Sequence, residues 1–112
     1  MKNRNAKLLI AVFGILLVGS VEAATCNGKE VTISGNGRVI KGTQGPDVIR
    51  GNNRDNIIFG RGGDDTICAL GGDDIIHGGP GNDYVNGGVG DDNLYGEGDD
   101  DSLNGARGDD DL

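Results

Sequence analysis

From Ile49 onward, one aliphatic side chain recurs every nine positions: Ile49, Ile58, Ile67, Ile76, Val85, Leu94, Leu103 and Leu112. The residues on either side of it obey no such rule, ranging from Thr66 and Asn93 to Phe59 and His77. In a three-residue strand the middle side chain points opposite to its two neighbours. The pattern therefore predicts a series of short strands, each turning one apolar residue inward. Cut at that phase, residues 42–112 read GTQGPDVIR, GNNRDNIIF, GRGGDDTIC, ALGGDDIIH, GGPGNDYVN, GGVGDDNLY, GEGDDDSLN and GARGDDDL, with no insertion or deletion. Each of these eight repeats opens on a glycine-rich stretch and, with few exceptions, carries acidic residues at its fifth and sixth places. Glycines at the first and fourth places are expected to take backbone conformations with positive φ and so make a tight turn. Turn, strand and strict period together predict an all-β solenoid.

Upstream, Val31 and Ile33 alternate with Thr32 and Ser34 as in a short strand, and Ser34-Gly35-Asn36-Gly37 marks a turn. Ile40 falls one period before Ile49, at the eighth place of a decayed repeat. Residues 24–41 are thus expected to cap the first coil. Residues 1–23 follow another pattern, in which Lys2, Arg4 and Lys7 precede an apolar run from Leu8 to Val18 that is too short to span a bilayer comfortably. Val21-Glu22-Ala23 then places small residues at a cleavage site. The expectation is a signal peptide cut after Ala23, a secreted, extracellular chain, and no membrane attachment afterwards.

Composition sharpens this picture. With 23 glycines, 4% aromatic residues and no Trp in 112 residues, an ordinary packed core is out of reach. The formal charge of -8 argues against a nucleic-acid partner. Beyond the signal, seven cations (Lys29, Arg38, Lys41, Arg50, Arg54, Arg61, Arg107) face seventeen Asp and Glu, and seven minus seventeen is -10. Fifteen of those acids are Asp held in phase by the repeat. Cys26 and Cys68 form an even pair outside the cell, which favours a disulfide between them; two free thiols or an intermolecular bridge are the alternatives.

Phased carboxylates beside glycine turns suit a hard cation. Calcium accepts six to eight oxygen ligands in loose geometry, whereas zinc and copper want His or Cys clusters and His77 is the single His. GGPGNDYVN and GGVGDDNLY match every defined place of the RTX, or haemolysin-type, calcium-binding nonapeptide, and the array resembles that repeat over 71 of 112 residues. The resemblance implies a right-handed parallel β-roll in which two repeats make one turn and several Ca²⁺ ions sit between turns stacked on the same side. It also implies two files of ligands at the sixth place, Asp47, Asp65, Asp83 and Asp101 on one side, and Asp74, Asp92 and Asp110 with the weaker Asn56 on the other. Glycine-turn carbonyls would complete each shell. Repeat two departs most from the pattern, with Asn53, Arg54 and Asn56. The best sites are expected between Asp65 and Asp83 and between Asp74 and Asp92.

Eight aliphatic side chains are too small a core to order 71 residues, and stacked aspartates repel, so the chain is expected to be unfolded without calcium and folded with it. His77 occupies an outward ninth place, Ser34 and Ser102 lie in no nucleophile motif, and the acid pairs recur as a lattice rather than as one catalytic pair, so no enzyme activity is expected. The function expected is an exported calcium-binding module. The alternatives are a calcium-dependent adhesion module with an unidentified surface or matrix ligand, or a truncated RTX part of a larger secreted toxin or enzyme. The chain stops at the eighth place of the last repeat, which leaves an open coil where copies are expected to fray or self-associate.

Overall fold

From residue 39 onward, each short strand is held beside a counterpart eighteen residues away. The structure, a computed structural model, describes residues 24–112; the expected signal peptide at 1–23 lies outside the described residues. Eleven strands follow in order: β1 (Thr25–Cys26), β2 (Lys29–Glu30), β3 (Ile33–Ser34), β4 (Val39–Lys41), β5 (Val48–Asn52), β6 (Ile57–Phe59), β7 (Thr66–Leu70), β8 (Ile75–Gly79), β9 (Tyr84–Asn86), β10 (Asn93–Glu97) and β11 (Ser102–Asn104). No helix occurs among the described residues. Odd repeats, preceded by β3, build a five-stranded parallel sheet in the order β11-β9-β7-β5-β3, and even repeats, preceded by β4, a four-stranded one in the order β10-β8-β6-β4. The result is a parallel β-solenoid of about four turns, as the nonapeptide period predicts.

Register is set by the eighth place. Ile49 pairs with Ile67 and Ile67 with Val85, while Ile58 pairs with Ile76 and Ile76 with Leu94. These side chains point between the two sheets and form one continuous core with Ile40 and Ala69, flanked by Ile33 and Leu103. Ile49, Ile58, Ile67, Ile76 and Val85 are fully buried, and the seventh and ninth places are more open, except Thr66, which is buried and bonded to Lys29.

The turns differ from expectation in one respect. The left-handed residues are those at the second and fourth places, not the first and fourth, and they run from repeat three to repeat eight. The second place holds Arg61, Leu70, Gly79, Gly88, Glu97 and Ala106, all with φ between 74° and 98°, and the fourth holds Gly63, Gly72, Gly81, Gly90, Asp99 and Gly108. First-place glycine answers a different need, close approach between coils, although repeat four accommodates Ala69 there. A Cβ on Gly60 would stand 2.5 Å from the carbonyl oxygen of Gly78 and 2.6 Å from Asp65 Oδ2. Repeats one and two have no positive φ at either place, so their turns follow another path.

Residues 24–41 do two separate jobs. Ile33 pairs with Ile49 and Ile40 with Ile58, adding a coil that is two residues short between the first pair. Ahead of it, β1 and β2 form an antiparallel hairpin through Asn27 and Gly28, both left-handed. The hairpin packs beside β5 and β7 on the five-stranded sheet rather than over the end of the solenoid. There Lys29 Nζ donates to Thr66 Oγ1 at 3.1 Å, and the sulfurs of Cys26 and Cys68 are at bonding distance.

Candidate metal centre

The sixth place lies two residues ahead of the inward aliphatic, so its side chain also turns in, at the level where turn becomes strand. From repeat three onward, each sixth-place Oδ1 accepts a hydrogen bond from the backbone N–H of the sixth place one turn earlier. On one side Asp47 donates to Asp65 at 2.9 Å, Asp65 to Asp83 at 2.8 Å and Asp83 to Asp101 at 2.8 Å. On the other, Asn56 donates to Asp74 at 2.7 Å, Asp74 to Asp92 at 2.8 Å and Asp92 to Asp110 at 2.9 Å. The two files inferred from the sequence are thus brought together, each in register along one side. Asp65, Asp74, Asp83 and Asp92 are at most 2% exposed; Asp101 and Asp110, in the last coil, are half-buried.

The second oxygens separate the repeats into two groups. Oδ2 of Asp65, Asp74, Asp83 and Asp92 is buried and has no hydrogen-bond partner. Burial, reinforced by like charge from neighbouring aspartates, overcomes the backbone hydrogen bond and pushes Asp65 and Asp74 up to about 7; Asp83 and Asp92 are raised for the same reasons. In repeat one the corresponding oxygen is occupied: Thr43 N–H donates to Asp47 Oδ2 at 2.7 Å and Thr43 Oγ1 donates to it at 3.0 Å. In repeat two Asn52 N–H donates to Asn56 Oδ1 at 3.1 Å, while Asn56 Nδ2 donates to the Gly37 carbonyl and to Asn52 Oδ1. Repeats one and two close their turns with their own atoms, and repeats three to six leave an unpaired buried oxygen.

An unpaired buried carboxylate oxygen is costly unless a cation meets it. Turn carbonyls lie near two of these oxygens, Gly78 O on the Asp65 side of Gly60 and Gly96 O on the Asp83 side of Gly78, and carboxylate with carbonyl oxygen fits calcium or another hard cation and not a thiophilic metal. No group of three or more His, Cys, Asp or Glu side chains able to hold a metal occurs among the described residues. Carboxylates alone therefore do not complete a shell, and backbone carbonyls would have to supply the rest.

The fifth place plays a different part, which the acid-pair reading of the sequence did not separate. Its side chains are exposed and accept in the reverse direction, from the turn that follows: Asp73 N–H to Asp55, Asp91 to Asp73 and Asp109 to Asp91, with Asn82 to Asp64 and Asp100 to Asn82 on the other side, each at 2.9 Å. Asn82 serves there as well as aspartate does, so the fifth place needs an acceptor and no charge. Sequence reasoning also missed a column on the outer face of the four-stranded sheet. His77 stacks between Phe59 and Tyr95, with centroids 5.2 and 4.9 Å apart, and its Nδ1 lies 2.6 Å from Glu97 Oε2. The column shows in the sequence only when the ninth place is read every eighteen residues.

The family model described as RTX calcium-binding nonapeptide repeat (4 copies) matches residues 41–76 and again 77–112. No curated protein and no solved structure matches the chain.

Proposed function

Because the chain belongs to the RTX calcium-binding nonapeptide repeat family, we propose that it is an exported module whose coils from repeat three onward fold as calcium binds, with four ions as the full complement. The observation that carries this reading is the set of four buried, unpartnered oxygens on Asp65, Asp74, Asp83 and Asp92. Asp101 and Asp110 extend the two files and join the shells as half-buried contributors, whereas Asp47 and Asn56, already paired within repeats one and two, hold no ion of their own. Calcium supplies the positive charge that lets stacked carboxylates stay ionised out of water. The chain itself positions each carboxylate through the N–H to Oδ1 ladder and aligns the turns through the aliphatic file. Export, expected from residues 1–23, would deliver the chain to calcium-rich and oxidising surroundings, where Cys26 and Cys68 form their disulfide.

Titration calorimetry of residues 24–112 with calcium, followed in parallel by far-ultraviolet circular dichroism, tests the proposal. About four ions per chain and a change from coil to β signal are expected. A spectrum that stays coil at millimolar calcium defeats it, and so does a β spectrum already complete in chelator.

A further inference from the structure

The two outer faces of the solenoid are treated differently by the chain. The five-stranded sheet is overlain at β5 and β7 by the chain's own hairpin, and its ninth places are otherwise polar (Arg50, Asn86, Asn104). The four-stranded sheet has no such cover among the described residues, yet it is the more apolar face. Its seventh places carry Val39, Ile57 and Ile75, and its ninth places the Phe59, His77 and Tyr95 column. Val39 is 50% exposed and Tyr95 45%.

Charge runs along this face in one direction. Lys41 and Arg61 flank Phe59 in a shallow notch at the first end. Glu97 lies beside His77 toward the other end, and exposed Asp111 bridges to Asn93 beyond it. A face that is cationic at one end, aromatic in the middle and anionic at the other complements itself when a copy is turned end for end. Strand spacing then sets the match: rotation about an axis parallel to the strands lays Ile57 over Ile75, Phe59 over His77 and Lys41 over Tyr95, with Arg61 directed toward Glu97. The ring column supports a protein partner better than a sugar, since rings stacked face to face on each other present edges outward.

We infer that the outer face of the four-stranded sheet is a docking surface for a second copy of this chain, joined antiparallel about a two-fold axis. The inference rests on the calcium-folded state proposed above. Four short strands cover a few hundred Å² per copy, at the low end for specific contacts, so the dimer is weak and forms between about 10 μM and 1 mM.

Sedimentation equilibrium of the calcium-loaded chain over that range tests the inference, with circular dichroism recorded on the same samples so that loss of fold is told apart from loss of association. A monomer–dimer equilibrium is expected. Ile75→Lys should weaken it at least tenfold without altering calcium uptake. Lys41→Glu should also weaken it, and adding Glu97→Lys to that variant should recover a substantial part of the loss. A folded monomer throughout the range overturns the inference. A dimer indifferent to Ile75→Lys and Lys41→Glu also overturns it, because the contact would then lie elsewhere, for instance at the last coil.

Discussion

At the scale of single residues, the sixth place decides what each repeat needs. The same inward position holds a carboxylate satisfied by Thr43, an amide satisfied by Asn52 and Gly37, or a carboxylate with one oxygen unpaired. These differences set a pH response. Without metal, burial pushes the Asp65 and Asp74 carboxyls up to about 7 in the folded coil, from an ordinary value of 3.8. The folded state then binds more protons than the unfolded state between about pH 4 and 7, so ion-free folding is favoured as pH falls through that window and disfavoured as it rises. In chelator, β structure seen by circular dichroism should increase on acidification from pH 7.5 to 4.5; a constant or declining signal would contradict the raised values. The eighth and sixth places were legible in the sequence because their chemistry barely changes along the array, Asn56 being the one departure at the sixth place. The pairing of Thr43 with Asp47 was not legible, since a second-place Thr carries no signal until the turn places it over Asp47.

At the scale of elements, the first coils and the later ones are distinct. The coil made by Ile33 and Ile40, together with repeats one and two, is closed by side-chain and backbone hydrogen bonds and lacks the left-handed second and fourth places seen from repeat three onward. Hydrogen exchange in chelator should therefore leave amides of residues 24–59 measurably protected while those of 60–112 exchange freely, and calcium should extend protection to the later repeats. Uniform exchange along the chain in chelator would show that the early coils depend on metal as well. The existence of residues 24–41 as an addition to the solenoid was readable from Ile40. The hairpin's seat on the sheet was not, because a two-residue strand has no period to read and only Cys26 pointed to its partner.

At the scale of the whole molecule, a solenoid has only nearest-neighbour contacts, so a fault in the middle divides it. Asp83 sits between Asp65 and Asp101 in one file. Asp83→Asn keeps an acceptor for the Asp65 amide but removes the charge. It should lower the calcium stoichiometry by about one, raise the calcium midpoint of folding several-fold and make a single transition biphasic. An unchanged stoichiometry would remove Asp83 from the ligand set. If the Cys26–Cys68 bond forms, it closes a loop of 42 residues and constrains the unfolded chain by about 4 kcal/mol on the chain-entropy model, holding the hairpin to the strand where the unpaired carboxylates begin. The hydrogen bond of the sixth place also has a direction: the amide of each turn gives to the carboxylate eighteen residues later, so it stays unpaired until that turn is laid down. A chain emerging N-terminus first would therefore grow like a ratchet, each new tooth locking the one before it and presenting one open tooth to the next.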